Sequence, residues 1–198
     1  SKLELCSSSD CTDATVLTNT SASFNIASAS AGADVGSWIN SFELEIGKTY
    51  THIRSTINST FTIAGYTTNS SISSSYCVTE SSPNTAASHN TAPIVDGSNS
   101  TTTADTSWVI PNEADADNGS FYGDLSSDFS TNSITKTNDS STFYWVGTLA
   151  NSYTPNINSA PKITISFDVA NQLRSQQAGA DTCYMYVLPP TVSVSLTD

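Results

Sequence analysis

The chain has 198 residues and a formal net charge of −12, from 6 Lys and Arg against 18 Asp and Glu. It holds 36 Ser, 28 Thr and 16 Asn, yet 37% of its residues are hydrophobic, which is enough for a core in a chain of this length. Nucleic-acid binding is disfavoured, because phosphates are held by Lys and Arg side chains that are scarce here. The charge also disfavours anionic membrane surfaces, and no run of about 20 apolar residues predicts a membrane-spanning helix.

The N-terminus predicts a short amphipathic strand. Leu3 and Leu5 alternate with Lys2 and Glu4 within residues 1–6, so the two leucines are expected to share one face. Residues 15–18 and 21–26 are the next strand candidates along the chain.

A β-hairpin is predicted around the dipeptide Gly47-Lys48. Residues 42–46 alternate apolar and acidic side chains, and residues 49–57 form a second β-rich run. A two-residue loop with glycine first is typical of a type II′ hairpin turn. Pairing outward from that turn would set Phe42 opposite Ile53, and Glu43 opposite His52 as a cross-strand ion pair.

Many short strands follow, at residues 60–64, 76–79, 107–110, 142–149, 162–169, 182–188 and 191–196. The clearest is 162–169, where Ile163, Ile165 and Phe167 alternate with polar residues. Only residues 170–178 are briefly helical in character, before Gly179. We therefore predict an all-β fold: a single antiparallel β-sandwich or jelly-roll-like domain over residues 1–198.

Two long polar loops are expected, at residues 80–106 and 111–138. The second loop carries a cluster of acids around the turn at Asn118-Gly119: Glu113, Asp115, Asp117, Asp124 and Asp128. Closely spaced carboxylates around a glycine turn suit Ca²⁺, which takes roughly six to eight oxygen ligands. The alternative is a solvated loop whose acids favour solubility, with no cofactor.

The cysteines predict disulfide bonds. Cys6, Cys11, Cys77 and Cys183 form an even set, as in exported proteins of oxidising compartments. The short spacing of Cys6 and Cys11 suits a small closed loop, which would leave Cys77 and Cys183 to tie two distant strands. A zinc site is the alternative, but the chain has only 2 His and its ligands would lie far apart in sequence. A secreted protein at the cell surface is the resulting prediction.

No catalytic motif occurs in the sequence: there is no nucleophile elbow, H-E-x-x-H, Walker loop or dinucleotide fingerprint. We expect no enzymatic activity, although carboxylate pairs for sugar hydrolysis would meet only in the fold. Phe143, Trp145, Gly147 and Leu149 would share a strand face typical of a core. A carbohydrate-binding surface is the alternative, since Tyr and Trp form flat platforms for sugars.

Six Asn-x-Ser/Thr sequons suggest a glycoprotein. Each can accept a glycan where it is exposed in an exported protein: Asn19, Asn58, Asn69, Asn99, Asn118 and Asn138. The Ser/Thr runs at residues 70–75 and 98–103 would suit O-linked sugars instead.

The two ends of the chain carry the main functional prediction. A terminal strand either joins its own sheet or is donated into a neighbouring subunit. The donor candidates are Leu3 and Leu5 first, and then three side chains that share a face after Pro189-Pro190: Val192, Val194 and Leu196. A head-to-tail interface that does not close generates a filament.

We therefore predict a structural subunit of an extracellular filament, pilus or surface assembly, whose partners are other copies of itself. The pattern resembles donor-strand fimbrial subunits in architecture alone, without a shared motif. One alternative is a monomeric adhesion or carbohydrate-binding domain, calcium-dependent in one version, whose partners are surface glycans. A virion surface protein is the other, because the same β-sandwich is expected for it.

Overall fold

The computed structural model describes residues 1–26, 33–39, 41–68, 76–81, 84–85, 93–96, 101–112, 129–177 and 182–198. Within these ranges the fold is all β. The strands are β1 (Lys2–Cys6), β2 (Ala14–Thr18), β3 (Tyr50–Asn58), β4 (Thr60–Ile63), β5 (Tyr66–Thr68), β6 (Tyr76–Val78), β7 (Asn84–Thr85), β8 (Pro93–Asp96), β9 (Thr106–Val109), β10 (Ile134–Thr135), β11 (Thr142–Tyr153), β12 (Lys162–Asp168), β13 (Leu173–Gln177), β14 (Thr182–Val187) and β15 (Thr191–Thr197).

The main sheet has seven strands in the order β12-β15-β11-β3-β1-β2, and β10 pairs with β11 off this path. Most neighbours are antiparallel, including β1 with β2 and β3 and β3 with β11. However, β15 runs antiparallel to β12 and parallel to β11. The sheet is therefore mixed, and the expectation of a purely antiparallel fold was wrong at this point.

The other strands form a four-stranded sheet, β13-β14-β8-β7, and two pairs, β4-β9 and β5-β6. Two disulfide bonds join the pairs that the spacing favours: Cys6–Cys11 and Cys77–Cys183. The first closes the turn between β1 and β2, and the second ties β6 to β14. On the chain-entropy model they stabilise the fold by about 2 and about 5 kcal/mol, respectively. Such bonds are typical of proteins outside the reducing cytoplasm.

One face of the main sheet, here called the inner face, is apolar. Leu5 of β1 lies opposite Ile53 of β3, and both side chains are fully buried. The cluster continues across the sheet through Leu149 of β11 and Val194 of β15, which are themselves partners in the ladder. Each strand contributes alternate residues to this face because successive side chains point to opposite sides.

An irregular segment covers the inner face near β1 and β15. Trp38, Ile39, Phe42 and Leu44 pack against the cluster, although no strand lies among the described residues of 19–49. The predicted hairpin at Gly47-Lys48 was therefore wrong, because both edges of β3 are occupied, by β1 and by β11. The turn itself exists, with Lys48 N–H donating to the Glu45 carbonyl oxygen at 3.1 Å. Its central residues are one position earlier than expected.

The conformation of Gly47 explains the error. Its φ of +81° at the third position of the turn is the geometry of a type II turn. Type II turns splay the flanking strands, whereas type II′ turns match their twist. As a result Glu43 is not paired with His52, which lies opposite Cys6 and Thr148.

Three other sequence expectations need correction. Residues 170–178 are not helical where described, because β13 pairs along its length with β14. Residues 21–26 form no strand. The two long loops contain short strands, β7 and β8 in the first and β10 in the second. In the first loop the apolar residues Ile94 and Val95 pair with β14.

Two further apolar clusters lie outside the inner-face cluster. One is centred on Trp108, Ile110, Phe129 and Phe143, and the other surrounds the Cys77–Cys183 disulfide with Val78 and Met185. Within the described residues no helix is long and apolar enough to cross a membrane.

Candidate functional site

The second face of the main sheet, here called the open face, carries a polar cleft of ≈ 340 Å³. Residues on it alternate with those of the inner face along the same strands. Glu4 of β1, Arg54 of β3 and Val146 of β11 form one row across the sheet. The cleft is lined by residues of β3, β10 and β11, of the turn after β1 and of the turn before β10: Ser9, Asp10, His52, Arg54, Ser133, Thr135, Tyr144, Val146 and Thr148.

A buried carboxylate lies beside the cleft. The Glu4 side chain is only 3% exposed, and its two oxygens contact Lys2 Nζ at 2.6 Å and Arg54 Nε at 2.8 Å. Burial alone would raise the pKa of Glu4, but the hydrogen bonds from Arg54 and Lys2 outweigh it and the pKa lies below 4.5. The carboxylate is therefore ionised at neutral pH and fixes the guanidinium of Arg54.

Arg54 is held on two sides. Its Nε donates to Glu4, and its guanidinium carbon lies 6.0 Å from the centre of the Tyr144 ring, at the outer limit of a cation–π contact. The Glu4 bond raises the pKa of Arg54 above its ordinary value. Because Nε is committed, the two Nη groups are the donors that remain for another molecule.

His52 has an assigned hydrogen-bonding role at the same cleft. Its Nδ1 lies 2.8 Å from Thr51 Oγ1, and that hydroxyl donates its proton to the Ser7 carbonyl oxygen at 2.9 Å. The hydroxyl oxygen therefore accepts from Nδ1–H, and Nε2 is the ring nitrogen that remains for another molecule. The Cys6–Cys11 turn thus orients the ring through Ser7.

Asp10 belongs to the turn that the Cys6–Cys11 disulfide closes. Its Oδ1 accepts hydrogen bonds from Ser8 Oγ at 2.5 Å and from the Thr12 backbone N–H at 3.2 Å. The bond from Ser8, followed by that from Thr12, lowers the pKa of Asp10 below 3.8. Asp10 is therefore a stable negative charge at the rim of the cleft.

The predicted assembly residues lie in the chain's own sheet. Leu3 and Leu5 are buried on the inner face, where β1 is paired on both sides. The C-terminal candidates belong to β15, which is paired with β12 and β11, and they contribute to the same cluster: Val192, Val194 and Leu196. In one copy of the chain, therefore, both edges of β1 are paired along the strand, whereas β15 is paired along β12 and at Val194 alone with β11.

The other predicted sites are only partly covered by the structure. The acidic residues proposed for calcium, Glu113, Asp115, Asp117 and Asp124, lie outside the described residues. Within the described ranges no group of three or more His, Cys, Asp or Glu side chains is placed to hold a metal ion. Of the sequons, Asn19, Asn58 and Asn138 are exposed, whereas Asn69, Asn99 and Asn118 lie outside the described residues.

Sequence reasoning did not find the cleft. It assigned His52 to a pairing with Glu43 and gave no role to Glu4 or Arg54, which are 50 positions apart. The available signal was a glutamate within the apolar strand β1, because a carboxylate at a buried position requires a cationic partner. Comparison with known proteins identifies no relative: no family model, curated protein or solved structure matches the chain.

Proposed function

We propose that the chain is a secreted β-sandwich subunit of an extracellular filament or surface assembly, which forms when the β1-β2 hairpin of one copy pairs with β3 of the next. The observation that carries the proposal is the burial of Leu3 and Leu5, at 2% and 0% exposure, in a hairpin joined to β3 through a long connection. Exchange of an identical element replaces each contact by the same contact in another copy, so its cost is low.

The hairpin has the properties of a transferable unit. The Cys6–Cys11 disulfide closes its turn, so β1 and β2 would move together. Among the described residues its one strand partner elsewhere in the main sheet is β3, through the pairs from Lys2 with Thr56 to Cys6 with His52. Residues 19–49 separate β2 from β3, and 31 residues extended at about 3.3 Å each reach about 100 Å, although extension would release the contacts of Trp38, Ile39, Phe42 and Leu44 with the inner face.

The N-terminal hairpin is favoured over β15 as the donated element. Only Leu188, Pro189 and Pro190 separate β15 from β14, and Leu188 N–H donates to the Gln172 carbonyl oxygen at 2.8 Å. So short a tether keeps β15 beside its own β12. Val192, Val194 and Leu196 would therefore form the permanent part of the groove that receives Leu3 and Leu5.

Engineered cysteines test the exchange. Lys2 and Thr56 are direct partners across β1 and β3, so two single variants, Lys2→Cys and Thr56→Cys, are mixed in equal amounts, allowed to assemble and oxidised. We expect a disulfide-linked dimer on a non-reducing gel. The matched control mixes Lys2→Cys with Val169→Cys, an exposed position outside the β1-β3 ladder, and should give no such dimer.

The double variant Lys2→Cys/Thr56→Cys locks the hairpin in its own copy. It should remain a folded monomer, whereas the matched variant Lys2→Ser/Thr56→Ser, which cannot form the lock, should form filaments visible by electron microscopy. Filaments that form equally well from the locked protein would contradict exchange. Discrete particles in the unmodified sample would favour the alternatives, a monomeric adhesion domain or a virion surface protein.

A further inference from the structure

We propose that the cleft on the open face binds a neutral saccharide, with Tyr144 as the stacking platform and Arg54 and His52 as the polar contacts. Tyr144 is 40% exposed, whereas the preceding residue, Phe143, is buried. The two side chains therefore lie on opposite faces of β11. An exposed aromatic ring on a rigid strand offers a flat apolar surface without loss of backbone freedom.

The Arg54 guanidinium lies over one face of the Tyr144 ring, so a sugar ring would stack on the opposite face. Glu4 accepts from Arg54 Nε at 2.8 Å, and the Arg54 guanidinium carbon lies 6.0 Å from the Tyr144 ring centre. No hydrogen bond to the Nη groups of Arg54 is found within the described part of the chain. These donors therefore stay available beside the ring, and a rigid site loses little entropy when it binds a ligand.

Donors and acceptors are both present in the cleft. Arg54 supplies N–H donors, the Asp10 carboxylate supplies an acceptor, and His52 offers Nε2 because its Nδ1 is committed to Thr51. Sugar hydroxyls donate and accept at once, and the C–H face of a pyranose ring stacks on the negative face of an aromatic ring. Pairs of adjacent hydroxyl groups next to a stacked sugar ring match this arrangement.

The charge of the site favours a neutral ligand over an anionic one. Lys2 and Arg54 are balanced by Glu4 beside the cleft and by Asp10 at its rim. The chain as a whole carries −12, which repels anions at long range. Neutral oligosaccharides do not meet this repulsion.

This binding function does not depend on the proposed assembly. Tyr144, Arg54 and His52 lie on β11 and β3, which remain together in one copy whichever hairpin pairs with β3. Failure of hairpin exchange would leave the saccharide site intact, and failure of saccharide binding would leave exchange intact.

Isothermal titration with neutral tetrasaccharides, namely malto-, cello-, manno- and N-acetylated chitotetraose, tests the proposal on the unmodified protein. We expect at least one to bind with a Kd of about 1 mM or tighter. Tyr144→Ala should weaken that binding about tenfold or more, and Tyr144→Phe should retain it, because the ring face is the contact. Tyr66→Ala, a control at another exposed tyrosine, should leave the affinity unchanged.

A second variant guards against misfolding of Tyr144→Ala. Arg54→Lys keeps the positive charge beside Glu4 but removes the planar fork of donors, and should also weaken binding while the melting temperature shows that the protein is folded. No binding by any of the four sugars at about 10 mM would overturn the proposal. So would unchanged affinity in Tyr144→Ala, or salt-sensitive binding of a sulfated oligosaccharide alone.

Discussion

The inner and open faces of the main sheet are built from alternate residues of the same strands, but they are stabilised in different ways. Leu3 and Glu4 are neighbours in β1 and are both 2% exposed. Leu3 is buried among apolar side chains, whereas Glu4 is buried between Lys2 and Arg54. Alternation in a sequence therefore tells which residues share a face, but does not tell which of the two faces meets water.

The two faces also differ in what a single substitution removes. Shortening an apolar side chain on the inner face loses its transfer free energy and leaves a cavity. On the open face, removing Lys2 or Arg54 leaves the buried Glu4 carboxylate without one of its partners. The free energy lost in this way exceeds what the ion pair itself contributed to stability. The following experiments are ordered from the largest expected effect to the smallest.

Leu5→Ala should be the most destabilising of these changes. Leu5 is fully buried on the inner face, so the free energy of unfolding should fall by about 4 kcal/mol, measured by urea denaturation. Val16→Ala, at a 44% exposed position on the neighbouring strand β2, should change it by less than about 0.5 kcal/mol. Equal effects at the two positions would show that β1 does not contribute to the core.

Arg54→Ala tests the open face. Glu4 would keep Lys2 alone, and the free energy of unfolding should fall by about 3 kcal/mol. The double variant Glu4→Gln/Arg54→Ala should be more stable than Arg54→Ala, because the unpaired buried charge is gone. A double variant that is no more stable would mean that the carboxylate is solvated once Arg54 is removed.

Gly147→Ala tests the packing of Trp145 on the inner-face side of β11. A Cβ at position 147 would lie 2.2 Å from the Trp145 ring, so the ring must move, at a cost of about 2 kcal/mol. Tryptophan fluorescence and urea denaturation should change together. At Gly47 no described residue lies within 4 Å of an added Cβ, so Gly47→Ala should cost about 1 kcal/mol from its positive φ without altering the fluorescence.

Acid should remove the stability that the Glu4 ion pairs of the open face contribute before it affects the apolar packing of the inner face. The pKa of Glu4 is lowered below 4.5 in the folded chain, so the stability it contributes is complete above pH 4.5 and is lost as pH falls through the folded-state pKa. Thermal melts from neutral to acidic pH should show this loss, and Glu4→Gln should have a shallower dependence in that range. An identical acid slope in the variant would contradict the assignment.

The strands themselves could largely be predicted from the sequence. Alternation located β1, β11, β12 and β15 to within a few residues, because a period of two reports a strand with one buried face. Phe143 and Leu149 are buried and Trp145 is half-buried, as the shared face predicted. Local pattern was sufficient here because the burial of each side chain follows from its own strand.

The order of the strands and the cleft could not be predicted. The parallel contact of Leu149 with Val194 and the bond from Arg54 to Glu4 join residues distant in sequence, and no local pattern encodes such pairings. The Gly47 turn was misplaced by one residue, since glycine suits several turn types. The β13 strand was mistaken for a helix because local helical preference is overridden by pairing with β14.

The parallel contact between β11 and β15 has a kinetic consequence. Val194 and Leu196 cannot reach Leu149 until the intervening chain, with the strand that carries Cys183, has been made and folded back. Such distant pairings form slowly, because closing the long loop costs conformational entropy before any stabilising contact has formed. The apolar surface of the earlier strands would therefore stay uncovered until β15 has been made and has folded back onto them.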